Sequence, residues 1–233
     1  MPSSLPLVLV PGLLCSARLY APQVEALWPG GPVTVADHRR DPDVAAIAAR
    51  ILADAPPKFA LAGLSMGGYI AFAMLRLAPE RIGKLVLLDT SARPDTPEQS
   101  AAREKFIAMA EDGKLMDIVE TLTPKFLHRN HGGDERLKGI VRAMARDTGV
   151  EAFVKQERAI MGRPDSRPLL GAIKCPTLVI VGDGDELTPP DLAREIAAGI
   201  PNAKLTVVPD CGHLSTIEKP EPVNAAMAEF LST

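Results

Sequence analysis

Cysteine, excess charge and long apolar runs are all in short supply in this 233-residue sequence. Its three cysteines (Cys15, Cys175 and Cys211) cannot all pair, and they form no metal-like cluster along the chain. A fully paired disulfide framework is excluded, and the pattern favours a reducing compartment, with a cytoplasmic location as the expectation. Lysine and arginine total 26 against 29 aspartates and glutamates, a net charge of −3. That balance gives no reason to expect nucleic acid or an anionic membrane as a partner. The apolar stretch Leu5 to Leu14 is too short, and too broken by proline, to be a signal or membrane segment, and no basic region precedes it. Internal repeats and low-complexity tracts are missing as well. What remains, 46% hydrophobic and 24% charged, suits one sizeable domain with room for an insertion.

Short β-branched apolar runs recur along the chain, separated by longer helical patterns. The strand candidates are Leu5 to Val10, Val33 to Ala36, Phe59 to Leu64, Lys84 to Leu88, Thr177 to Val181 and Lys204 to Val208. They read as continuous apolar runs, as parallel strands covered on both faces do. Helices are predicted over Val44 to Ala53, with Asp41 as N-cap and Pro42 at the first helical position, and over Met66 to Leu77, Pro190 to Ala198 and Pro222 to Leu231. Such alternation predicts an α/β fold with a mostly parallel, doubly wound sheet of about six strands.

Between about Ser91 and Asp165 the alternation breaks into helices alone, at Pro97 to Glu111, Leu115 to Thr121, Arg136 to Arg146 and Glu151 to Met161. This block carries 13 of the 26 basic and 13 of the 29 acidic residues, the balance of a solvated helical face. The expectation is a core of residues 1–91 and 166–233, with residues 92–165 inserted as a helical cap over the sheet edge.

Ser65 stands in Gly63-Leu64-Ser65-Met66-Gly67-Gly68, directly after one strand candidate and before a helix. A serine on a sharp strand-to-helix turn needs small neighbours, because the turn is strained and the helix crosses close to the strand. No lysine follows the glycines and no third glycine sits at dinucleotide spacing, so a phosphate loop fits poorly. A serine hydroxyl needs a base to become a nucleophile, and the base an acid to orient it. His213, just past the last strand, is the preferred base and His38 the runner-up. His128 and His131 fall in a polar turn and read as surface residues, so no metal site is expected. Among the acids after the fifth strand Asp185 is preferred, with Asp183 and Glu186 as substitutes. Two backbone N–H groups should complete the site: that of Met66, after the nucleophile, and one from Pro11-Gly12-Leu13-Leu14, with Leu13 ahead of Leu14.

These segments resemble the α/β-hydrolase superfamily, in its capped branch of small esterases, enol-lactonases and carbon–carbon bond hydrolases. The resemblance is carried by Val8-Leu9-Val10-Pro11-Gly12, Ala62 to Gly68, Pro79 to Leu88, Cys175 to Asp185 and Gly212-His213, and it covers nearly the whole chain. It implies the chain order Ser65, Asp185, His213 and singles out Asp185 among the acids. It departs from the family at Pro11-Gly12, where His-Gly is usual, and at Asp37-His38-Arg39-Arg40, a reduced form of a longer family stretch. Serine at the elbow argues against dehalogenase and epoxide-hydrolase chemistry, whose members use a carboxylate there. The expected reaction is therefore hydrolysis of a small-molecule carboxylic ester through an acyl-enzyme, without a cofactor. An enol-lactone or a carbon–carbon bond is the alternative, and a ligand receptor on the same scaffold stands further off. Leu14, Met109, Met144 and Met161, with Phe106, Phe126 and Phe153, are expected to offer an adaptable apolar pocket for uncharged substrates with small to medium acyl groups. An anionic substrate would instead call on Arg142, Arg146 or Arg158. Cys15 and Cys211 read as buried small side chains.

Overall fold

A computed structural model describes residues 5–233; residues 1–4, part of the expected core, lie outside the described region. Six strands form one parallel sheet: β1 (Leu7–Val10), β2 (Val33–Val35), β3 (Phe59–Leu64), β4 (Ile82–Leu88), β5 (Thr177–Gly182) and β6 (Lys204–Val208), in the order β2-β1-β3-β4-β5-β6. The four central strands are buried on both faces, and their side chains alternate between two apolar clusters. Leu7, Leu9, Ala60, Ala62, Leu64, Val86, Leu88, Leu178 and Ile180 face one side. Val8, Val10, Phe59, Leu61, Leu85, Leu87, Val179 and Val181 face the other. This is why each strand reads as an unbroken apolar run although its side chains still alternate with a period of two. The edge strands β2 and β6 are partly exposed, with Leu205 and Val207 of β6 open to solvent.

Helices cover both faces. α1 (Ala21–Leu27) and the C-terminal helix of the chain, Pro220–Ser232, pack on the first. α2 (Val44–Asp54) and α3 (Met66–Leu77) pack on the second, together with the helix Pro190–Gly199. The N-cap of α2 is Asp43, whose carboxylate accepts from the amides of Ala45 and Ala46 at 2.8 and 2.9 Å, and not Asp41 as the sequence suggested. Asp41 is instead held by Arg50 in a two-pronged ion pair.

Between β4 and β5 the chain forms α4 (Pro97–Glu111), α5 (Leu115–Phe126) and α6 (Glu135–Met161). α4 begins in a capping box built by Thr96 and Gln99. α5 runs through Pro124 to Phe126, beyond the predicted stop at Thr121. Its last turn is held from outside, since the Phe126 carbonyl accepts from the amides of His213 and Leu214. α6 is two helical segments broken at Gly149, whose φ of 74° lies in the region that favours glycine. Apolar residues of all three helices, including Ile107, Ile118, Phe126, Met144 and Phe153, join the cluster on the first face of the sheet. Among the described residues, no helix is long and apolar enough to cross a membrane.

Candidate functional site

The sheet order reverses between β1 and β3, and a crevice opens at such a point beyond the carboxyl ends of parallel strands. The loops after β1, β3, β5 and β6 meet there. Ser65 follows β3 with φ 54° and ψ −114°, a conformation a serine adopts only under constraint. The constraint is steric: a Cβ on Gly63 would lie 2.3 Å from the Gly67 carbonyl oxygen, and one on Gly67 2.0 Å from that of Val10. Only glycine lets strand, turn and helix approach so closely. The turn is fixed further by the Ser65 amide donating to the Leu88 carbonyl and by Thr90 Oγ1 donating to the Ser65 carbonyl. Although Ser65 occupies the N-cap position of α3, its side chain makes no capping bond. Its Oγ lies instead 2.9 Å from His213 Nε2.

The other ring nitrogen, His213 Nδ1, lies 2.8 Å from Asp185 Oδ2. Asp185 is itself pinned. Its Oδ1 accepts from the amides of Leu187 and Thr188, and its Oδ2 accepts from Thr188 Oγ1 at 2.7 Å. Burial opposes its charge, yet the neighbouring imidazole and these donors hold the carboxyl below the usual carboxylate range. Burial likewise opposes charge on His213, and Asp185 more than offsets it, so the imidazole is pushed above its ordinary value. The ring stacks on Phe126 at 6.2 Å, and its amide donates to the Phe126 carbonyl. The structure thus brings together Ser65, Asp185 and His213. Asp183 Oδ1 instead accepts from the Cys211 amide. The runner-up base His38 sits elsewhere, buried, with Nε2 2.9 Å from the Gly12 carbonyl oxygen and from Gln156 Nε2. Burial pulls its pKa down to about 4.

Leu13 and Ser65 line one cavity of about 390 Å³. The Leu14 amide is taken, donating to Gln156 Oε1 at 3.1 Å, whereas among the described residues the amides of Leu13 and Met66 meet no protein acceptor. The pocket residues expected from sequence are corrected here. Leu14, Met109, Met144 and Met161 do not line the cavity, because each packs in or against the apolar cluster beneath it. Phe106 and Phe126 do line it, and Phe153 is fully buried in the cluster. Arg142 and Arg158 are spent on surface ion pairs with Glu120, Glu135 and Glu111.

Arg103 and Arg163 reach the cavity in their place. Arg103 donates from Nε to Asp95 and from Nη1 to Glu157, both at 2.7 Å. Arg163 pairs with the second oxygen of Asp95, donates to the carbonyls of Arg93 and Ile160, and stacks over the Tyr69 ring at 4.2 Å. Burial pushes the Glu157 carboxyl up, partly countered by Arg103. No sequence pattern marked this ladder, nor Thr188, although an aspartate accepting from amides two and three residues on is an Asx-turn signature.

A second buried carboxylate, Asp89 at the tip of β4, also escaped the sequence reading. It accepts from the Gly182 amide and from Ser215, tying the β5 tip to the segment after His213, and burial pushes its pKa up to about 8. His128 is not the surface residue expected, whereas His131 is half-buried. His128 is buried, and His131 Nδ1 lies 2.6 Å from Glu218, whose other oxygen accepts from the Gly212 amide. Among the described residues, no cluster of His, Cys, Asp or Glu is placed to hold a metal ion. Cys15 and Cys211 are buried, and burial pushes the Cys15 thiol up to about 12.

Residues 7–226 match the model of the alpha/beta hydrolase family. The chain belongs to that family. Similar solved structures include a thermophilic esterase from Thermogutta terrifontis, at 31% identity and a TM-score of 0.91 over 99% of this chain and 90% of the other. The enol-lactonase of Burkholderia xenovorans LB400 follows at 25% identity and 0.88 over 98% and 92%. A 2-hydroxy-6-oxononadienedioate/2-hydroxy-6-oxononatrienedioate hydrolase of Pseudomonas putida is 30% identical over 72% of this chain, and the match spans 61% of that relative's length. An alpha/beta hydrolase with esterase and lactonase relatives thus carries a serine, a histidine and an aspartate in hydrogen-bond contact at one end of its sheet.

Proposed function

We propose that this alpha/beta hydrolase cleaves carboxylic esters of small, uncharged substrates through an acyl-enzyme on Ser65. The carrying observation is the continuous contact from Ser65 Oγ to His213 Nε2 at 2.9 Å and from His213 Nδ1 to Asp185 at 2.8 Å. In this reading His213 takes the proton of Ser65 as the hydroxyl oxygen attacks the ester carbonyl. The Leu13 and Met66 amides hold the oxyanion that forms, His213 returns the proton to the departing alcohol, and water repeats the sequence to release the acid. Asp185 keeps the imidazole in the productive tautomer and stabilises its charged form.

Helices α4, α5 and α6 act as the cap in this proposal, since Phe106, Leu122, Phe126 and Ile160 from them close the cavity over Ser65. Three of the four lysines and arginines that line the cavity are matched by carboxylates, Arg103 and Arg163 by Asp95 and Glu157 and Arg93 by Glu195, which supports an uncharged substrate; Lys125 has no ion-pair partner among the described residues. Lactones use the same machinery and are the second reading, favoured by the likeness to an enol-lactonase over nearly the whole chain.

The test is labelling by a fluorophosphonate together with turnover of short p-nitrophenyl esters and a lactone panel. Labelling at Ser65 and turnover lost in Ser65→Ala are expected. A folded protein that shows neither, or a Ser65→Ala variant that retains turnover, overturns the proposal.

A further inference from the structure

The charged ladder on the cavity wall is incomplete at one atom. Glu157 is wholly buried and lines the cavity, and its Oε2 accepts from Arg103 Nη1, but among the described residues its Oε1 has no hydrogen-bond partner. Leaving a buried polar atom unpaired is costly, and more so for a charged group. The carboxylate cannot swing away to find a partner. Arg103 is clamped between Glu157 and Asp95, Asp95 is clamped by Arg163, and Arg163 is fixed by Tyr69 and two carbonyls. Arg103 lines the same cavity, and among the described residues its Nη2 donates to no acceptor. An unpaired acceptor and an unpaired donor group thus belong to two ion-paired residues that both line the cavity containing Ser65.

We infer that Glu157 and Arg103 form a subsite for a hydroxyl group of the substrate, deepening the ester-hydrolase reading on which it rests. Chemistry narrows the occupant. An alkyl group would leave both atoms unpaired, a carboxylate would face the Glu157 oxygen, and an ammonium would face Arg103 and Arg163. A hydroxyl accepts from Arg103 and donates to Glu157 through a single oxygen, and it adds no charge to a ladder in which two arginines are already balanced by two carboxylates. Sites built to hydrogen-bond a hydroxyl discriminate steeply against the analogue that lacks it, because the buried groups are then stranded.

The experiment uses isosteric ester pairs. Ethyl 3-hydroxybutyrate is compared with ethyl 3-methylbutyrate to probe the acyl side, and 2-hydroxyethyl butyrate with propyl butyrate to probe the alcohol side. The wild-type enzyme should prefer the hydroxylated member of at least one pair by about tenfold or more in kcat/KM. Glu157→Gln turns an amide N–H₂ toward the cavity beside the donor of Arg103, so the ratio within that pair should collapse towards unity. Calorimetric binding of the same pairs to Ser65→Ala supplies a readout that needs no turnover, and the hydroxylated member should again bind more tightly. Ratios within twofold for both pairs, in turnover and in binding, overturn the inference and leave the position to water. A preference that survives in Glu157→Gln overturns it as well. Absent turnover with a retained binding preference would instead strike the esterase reading and leave the subsite standing.

Discussion

The two walls of the cavity are built on opposite plans. The strand-tip wall takes Ser65, Asp185 and His213 from three loops, and there both oxygens of Asp185 and both nitrogens of His213 are engaged. The helical wall takes Arg103 from α4 and Glu157 from α6, and it leaves a buried carboxylate oxygen with nothing to bind. Saturation on the first wall means that its acid and base side chains are arranged for one another, and the proposed function leaves the serine oxygen and the Leu13 and Met66 amides to meet a substrate. The second wall keeps an unpaired carboxylate oxygen on a residue that lines the cavity. In the proposed function and the further inference, reaction falls to the strand tips and discrimination to the helices, within one cavity.

The largest effects should come from the saturated wall. Ser65→Ala is expected to lower kcat by roughly 10⁴–10⁶-fold with the fold intact by circular dichroism, since groups acting as a unit fail together. A loss below a hundredfold would mean that the wall does something other than nucleophilic chemistry. Asp185→Asn should cost on the order of 10⁴-fold by stabilising the wrong imidazole tautomer. The pH profile sharpens this point. The proposed reaction needs neutral His213, whose pKa Asp185 holds above the ordinary histidine value against the opposing effect of burial. The acid limb of kcat/KM should therefore lie above pH ~6.5. Removing the carboxylate charge in Asp185→Asn should move the residual activity's limb downwards, and a limb that stays put would break the assignment.

A stability effect distinguishes the histidine that the site does not use. His38 is buried and titrates near 4 in the folded chain, while an unfolded histidine titrates near 6.5. Between those values the unfolded state holds the proton and the folded state does not. Stability is therefore full above about pH 6.5 and falls as the pH drops towards 4, by up to about 3 kcal/mol from this group. Thermal melts across that range should show a shallower decline in His38→Gln, and identical slopes would contradict a buried neutral His38.

The strand-tip wall was legible because each of its residues is tied to the end of an apolar run. Gly63 and Gly67 mark the elbow through a steric demand that only glycine meets, and the end of β6 points to His213; the end of β5 left Asp183, Asp185 and Glu186 as alternatives, among which the family resemblance singled out Asp185. The helical wall was not legible, for a different physical reason. Which face a helical residue presents depends on phase, and the methionines that looked suited to a pocket turned inward to the apolar cluster instead. Arg103 and Glu157 are 54 residues apart and gave no spacing signal, since mixed charge on a helix ordinarily faces solvent. Asp89 was missed likewise, because the Gly182 amide it holds becomes its neighbour only once the sheet has formed, and Glu218 because one of the amides it holds, that of His128, is 90 residues away.

Phase on the helical wall is set at Gly149, and this gives the smallest but most local test. Its φ of 74° and ψ of 169° break α6 into two segments, and the second carries Gln156 and Glu157 side by side. Consecutive residues on a helix point about 100° apart. With the second segment in its observed phase, Gln156 reaches the Leu14 amide and His38, while Glu157 reaches Arg103. A substituent at Gly149 meets open space, so Gly149→Ala creates no clash and acts only through backbone strain. The expected loss is about 1–3 kcal/mol of stability, read from denaturant melts, because this region of backbone space is nearly closed to residues with a Cβ. Relief of the strain by rotation of the second segment would displace Gln156 and Glu157 together. A variant that relaxes in this way should lose discrimination between the hydroxylated and isosteric esters while keeping fluorophosphonate labelling of Ser65, which separates the two walls experimentally.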